Sequence, residues 1–209
     1  QPVQLVFALK LPKDLPYSQP YWLVEPSDLG AYRIPRQALV GQPQNVPPLT
    51  VSMTLASNDG SMTFEVPVRF RGVDPVEGEQ YRPFAIIPPV ALNLPEKTYV
   101  FPDNKPRSVQ VNLRSNVAMA SGSVSLRTPD GWKVTPPSIP FDLKQKDENL
   151  SVSFSVEPAS GSGSGTFGAE ATVADVWVRQ DMITIRYPHI PPQTVFPAAE
   201  GRLLRVDLK

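Results

Sequence analysis

Few residues in this chain have the chemistry that catalysis needs. There is one histidine and no cysteine. The histidine, His189, stands in Tyr187-Pro188-His189-Ile190-Pro191-Pro192, just after a strand-like run. A zinc site without cysteine needs further histidines or a cluster of carboxylates. A Ser-His-Asp triad would need this same histidine, and no Gly-x-Ser-x-Gly elbow accompanies it. His189 therefore reads as a loop or packing residue. The run Gly163-Ser164-Gly165-Thr166-Phe167-Gly168 matches Gly-x-Gly-x-x-Gly letter for letter. In a dinucleotide site such glycines lie between a strand and a helix start, where the pyrophosphate meets helix N–H groups. Here the run follows Ser160-Gly161-Ser162 and leads into the extended-looking Val173-Ala174-Asp175-Val176-Trp177-Val178. With no parallel βαβ pattern around it, the run reads as a flexible β-turn loop.

Carboxylates gather at Asp74, Glu77 and Glu79, and again at Asp147 and Glu148. A glycosidase pair is defined by a distance in space, and the first cluster lacks the alternating Asp/Asn spacing of a calcium loop. Both clusters read as solvated turns. The aromatic residues are better candidates. Tyr21, Trp22 and Tyr32 lie on a long Pro-rich connection, and Trp132 and Trp177 lie in the second half. Exposed rings stack on sugar faces, and half-exposed ones close small cores. Tyr21, Trp22, Tyr32 and Trp132 are taken as candidate contacts for a ligand or a neighbouring domain. No catalytic, metal-binding or cofactor-binding residue is assigned, and no cofactor is expected.

The elements that must position these residues are strands. The 209 residues include 26 prolines, more than twice the usual share of about 5%. Few windows of helix length escape proline, which costs a helix interior about 3 kcal/mol. The clear period is two. Ser108–Arg114, Ser123–Arg127 and Asn149–Glu157 alternate polar and apolar residues, and Asp181–Tyr187 is a further strand-like run. Val109, Val111 and Leu113 should share one face, as should Leu150, Val152, Phe154 and Val156. In the first half Leu49–Leu55 and Met62–Phe70 flank Ser57-Asn58-Asp59-Gly60, a hairpin signal because Asp-Gly suits positive φ. Pro67 in the second run predicts an edge strand or bulge. Leu5–Leu11 and Tyr81–Val90 are read as further strands. Between Lys10 and Pro48 the connection is long for a compact domain. Its rings are expected to pack, with Leu23, Val24, Leu29 and Ile34 anchoring the loop on the first sandwich.

Charge excludes several function classes. Twenty basic and twenty acidic residues give no net charge, which argues against a basic nucleic-acid binder. A hydrophobic share of 41% provides for a core. No apolar run is long enough to span a membrane as a helix. The chain opens on Gln1 and stops in mid-pattern, and it reads as a piece of something longer. The expectation is an all-β chain of two tandem immunoglobulin-like or fibronectin-like β-sandwiches, residues 1–92 and 93–209. The boundary falls at the stiff segment Ile87-Pro88-Pro89-Val90-Ala91-Leu92-Asn93-Leu94-Pro95.

Several strings carry a family resemblance. Gln19-Pro20-Tyr21-Trp22-Leu23, Tyr32, Leu39-Val40-Gly41-Gln42-Pro43 and Asp74-Pro75-Val76-Glu77-Gly78-Glu79 resemble the region after the catalytic domain in large bacterial PIG-L (LmbE-like) deacetylase-family proteins. Ile185-Arg186-Tyr187-Pro188-His189-Ile190-Pro191-Pro192-Gln193 looks like the same proteins just before their next domain. Thr128-Pro129-Asp130-Gly131-Trp132-Lys133-Val134, with Leu150–Val156, is similar to the NEW3 sandwich module found beside carbohydrate-active domains. The resemblance implies a parent that is a zinc-dependent hydrolase of N-acetylglucosaminyl groups, with a His-Pro-Asp-Asp/Glu zinc motif. That motif is missing here: Thr128, not His, precedes Pro129-Asp130. The expected function is a non-catalytic accessory region that spaces or orients neighbouring domains of the same chain, in a bacterial, extracytoplasmic (periplasmic or secreted) setting. The alternative is a carbohydrate-binding module using exposed aromatic residues. Nucleic-acid and membrane partners are not expected.

Overall fold

A computed structural model describes residues 4–12, 15–25, 28–34, 36–76, 78–161, 163–187 and 190–206. The chain is all-β, and among the described residues the only helical pieces are two short 3-10 turns. Among the described residues no helix is long and apolar enough to cross a membrane. The chain divides into two compact units. One comprises Gln1–Ser18 with Val46–Ile86, the other Gln19–Asn45 with Ile87–Lys209.

The first unit contains two hairpins. Strands β1 (Thr50–Ser57) and β2 (Gly60–Pro67) pair antiparallel. They join through Asn58-Asp59, with Gly60 at φ +150°, so the Asn-Asp-Gly signal forms the turn it predicts. The ladder sets Val51 opposite Val66, Met53 opposite Phe64 and Leu55 opposite Met62. Alternation therefore puts all six apolar side chains on one face, and Thr54 and Thr63 bond through their hydroxyls at 2.9 Å on the other. The expected long strand Met62–Phe70 breaks at Pro67. Proline has no N–H for a ladder, and β3 (Arg69–Asp74) starts a second hairpin with β4 (Gly78–Pro83). The strand expected over Tyr81–Val90 likewise stops at Pro83. Residues 4–11 pair with no strand, and Leu5, Val6, Phe7 and Leu9 stand exposed.

The second unit is a β-sandwich. Its strands are β5 (Val90–Asn93), β6 (Thr98–Phe101), β7 (Arg107–Ser115), β8 (Ala120–Arg127), β9 (Lys133–Thr135), β10 (Ile139–Leu143), β11 (Asn149–Glu157), β12 (Gly163–Val173), β13 (Val176–Val178), β14 (Ile183–Tyr187), β15 (Ile190–Val195) and β16 (Glu200–Arg205). One sheet runs β5-β7-β11-β9. The other runs β10-β8-β12-β16-β6, with β13 beside β12; its β16–β6 pair is parallel. Strands β14 and β15 form a separate hairpin.

Period-two alternation builds the core. Val109, Val111, Leu113, Phe154 and Val156 are fully buried, Val152 is nearly so, and Leu150 packs against them. Phe101, Phe167, Leu143 and Leu203 complete the filling from the other sheet. Val90–Asn93, which straddles the expected boundary at 92/93, is an edge strand of this second unit, where it pairs with β7. The compact units part at 86/87.

The glycine-rich run corrects its sequence reading. Gly163–Gly168 is the first half of β12, paired residue by residue with Arg205–Glu200 of β16, and not a loop. A Cβ on Gly165 would lie 2.3 Å from Pro129 Cγ, so a strand can pass here only without a side chain. Strand β13, not a helix that could receive a phosphate, follows it.

Candidate functional site

The connection 19–45 belongs to the second unit, whereas the sequence predicts that it packs on the first. Its ends are tied by side chains. The Gln19 carboxamide oxygen accepts the Phe196 N–H at 3.0 Å. Asn45 clasps the loop, accepting the Tyr21 N–H at 2.9 Å and donating its amide to the Gln19 carbonyl. Tyr21 also donates its hydroxyl to the Gln42 carbonyl at 3.0 Å. Pro20 and Leu39 are the buried anchors. Of the anchors expected, Leu23 and Ile34 are half-buried, while Val24 and Leu29 point into solvent. A tight turn at Asp28–Ala31, closed by the Arg33–Asp28 ion pair, carries Leu29 outward.

These contacts set the rings. Tyr21 and Trp22 are both half-buried and meet edge to face, with centroids 4.9 Å apart and planes at 89°. Perpendicular rings present no common plane for stacking on a sugar. Tyr32 is 61% exposed and stands apart from the pair. Trp132 follows the turn at Pro129–Gly131 and closes the core, edge-on to Phe101 at 4.9 Å and 76°. The most available large ring of the sandwich is Trp177 on β13, 59% exposed. The Arg179 guanidinium lies 5.8 Å from its centroid and pairs with Glu170 at 3.1 Å. Trp177, Arg179 and Gln180 line a shallow hollow of about 370 Å³. Pairing of Trp177 with Thr172 on the edge strand explains its exposure, and the brief run Val176-Trp177-Val178 gave no hint of which side faces out.

The acidic clusters serve turns and hairpins. Asp74 accepts the Val76 N–H at 2.8 Å within the β3–β4 turn. Glu79 receives hydrogen bonds from the Tyr81 hydroxyl and from Arg71, the latter at 2.6 Å. The Tyr81 hydroxyl first, and Arg71 next, hold the Glu79 carboxyl below the usual carboxylate range. Glu148 accepts the Lys144 and Gln145 N–H groups at 2.6 and 2.9 Å, closing the β10–β11 turn. Glu77 and His189 lie outside the described residues. Among the described residues no three His, Asp or Glu side chains converge as a metal-binding group.

Comparison with known proteins adds little to this geometry. No family model matches the chain, and no curated protein matches it. Among solved structures, the Vibrio cholerae VesB protease aligns at 11% identity with a TM-score of 0.29. That alignment covers 56% of this chain and 31% of the protease.

Proposed function

We propose that the chain is a non-catalytic accessory β-sandwich region of a PIG-L-like protein, spacing or orienting neighbouring domains of the same polypeptide outside the bacterial cytoplasm. The observation that carries this reading is the apolar face of the β1–β2 hairpin. Val51, Met53, Leu55, Met62, Phe64 and Val66 are between 41% and 62% exposed, and they are paired across the ladder on one side. A two-stranded ribbon gains little stability alone, and a contiguous apolar face marks an interaction surface. Neighbouring domains of the same chain, held close by covalent linkage, are the partners this face fits.

The sequence resemblance supplies the family, and the missing His-Pro-Asp string supports a non-catalytic part. Two measurements test the reading. The encoding gene should carry a His-Pro-Asp-Asp/Glu domain upstream. The purified chain should bind no stoichiometric zinc and leave N-acetylglucosamine derivatives intact. One tightly held zinc that His189→Ala removes would overturn the non-catalytic assignment. The second reading, a carbohydrate-binding module, is favoured by the exposed Trp177 ring. It predicts retention on an insoluble glycan that Trp177→Ala abolishes.

A further inference from the structure

The outer face of the β5-β7-β11-β9 sheet carries a hollow built from polar side chains. The ladder sets Ala91, Arg114 and Asn149 in one row, and Asn93, Asn112 and Ser151 in the next. The segment leading into β14 is held beside β5. The Leu92 N–H donates to the Gln180 carbonyl at 2.9 Å, and the Asn93 amide donates to Asp181 Oδ2 at 2.8 Å. Asn93, Asn112, Arg114, Asn149, Asp181 and Thr184 line a hollow of about 430 Å³. That lies within the range of small-molecule clefts, about 300–1,000 Å³.

The Asp181 carboxylate and the Asn112 carboxamide oxygen are already in use. Asp181 Oδ1 accepts the Met182 N–H at 2.7 Å, and its Oδ2 is taken by Asn93. Asn112 Oδ1 accepts from Ser151 Oγ at 2.7 Å and from Gln110 Nε2 at 3.2 Å. Two donors are not. Arg114 Nε is buried without a hydrogen-bond partner, and among the described residues its guanidinium joins no ion pair. Burying a guanidinium N–H without an acceptor is costly, and the terminal Nη atoms of the same guanidinium, which are not buried, also have no partner among the described residues. Asn112 Nδ2, two residues along the same face, is a second donor with no partner among the described residues.

We infer that this hollow binds a sugar acid, whose carboxylate is taken by Arg114 and Asn112. The planar guanidinium fork matches a carboxylate with two parallel N–H···O bonds. Asp181 in the wall disfavours a doubly charged anion, which selects a carboxylate over phosphate. Asn93, Asn149 and Thr184, which also line the hollow, offer polar groups to sugar hydroxyls. The inference is independent of the spacing role and of Trp177.

The test is an NMR titration of the chain with D-glucuronate, D-glucose, acetate and inorganic phosphate, following the Arg114 Nε–H resonance. Glucuronate should shift it saturably and bind at least about tenfold tighter than each of the other three. Asn112→Asp keeps the acceptor for Ser151 and Gln110 but replaces the free donor with a charge. It should leave the melting temperature near that of the parent chain and weaken glucuronate at least about tenfold. Arg114→Lys keeps the charge, loses the fork and should also weaken binding. The proposal is overturned if glucuronate gives no saturable shift up to about 10 mM. It is overturned equally if glucose, acetate or phosphate binds as tightly, or if folded Asn112→Asp binds as the parent does.

Discussion

Phe154 shows how far a single residue was readable. Alternation along Asn149–Glu157 placed it inward, and it is fully buried opposite Val109. Phe154→Ala should cost about 3–5 kcal/mol in chemical denaturation; a loss under about 1 kcal/mol would mean the site collapses without a cavity. Glu79 shows the opposite case. Its sequence neighbours mark only an acidic turn, while its partners Arg71 and Tyr81 come from register and from the same strand. Because its folded pKa is depressed, its contribution to stability is present above the unfolded carboxylate pKa and is lost as pH falls through the folded value. Tyr81→Phe should raise the Glu79 titration midpoint towards the ordinary glutamate value, read by carboxyl NMR. An unmoved midpoint would assign the depression to Arg71 alone.

At the scale of elements, strands with a strict period of two were legible, and those with irregular chemistry were not. The run Gly163–Gly168 has the composition of a loop, yet it is half of β12, because its glycines answer to close approach and not to turning. The same constraint appears at Gly122 on β8, where a Cβ would meet the Thr172 carbonyl oxygen at 1.9 Å and the Phe141 ring at 3.3 Å. Gly122→Ala must part β8 from β12 and should destabilise by about 1–3 kcal/mol on thermal or chemical unfolding. An unchanged midpoint would mean the two strands can separate locally at no cost. Proline acts the other way. Pro67 and Pro83 end strands that hydropathy alone would continue, since each removes a ladder N–H.

At the scale of the molecule, an all-β chain could be read from proline content and periodicity, but the course of the connection 19–45 could not. The connection 19–45 joins the second unit through Gln19 and Phe196, residues 177 positions apart, and no local pattern encodes such a bond. The polar hollow beside β14 was hidden for the same reason: Arg114, Asn149 and Asp181 are neighbours only after three strands have paired. The apolar members of β1 and β2 were visible as alternation, but alternation does not say what covers their face.

The accessory role rests on that face being covered in the complete protein, and methionine oxidation reports on it directly. Met53 and Met62 sit on the face at 42% and 62% exposure, and Met119 of the second unit, 75% exposed, serves as an internal reference. Exposed thioethers are oxidised by peroxide to sulfoxides, and covered ones resist. Rates should be compared by mass spectrometry between this chain alone and the complete gene product. The account predicts that Met53 and Met62 oxidise readily in the isolated chain and are protected at least about tenfold in the complete protein, while Met119 is unchanged. Equal rates for Met53 and Met62 in both forms would contradict it.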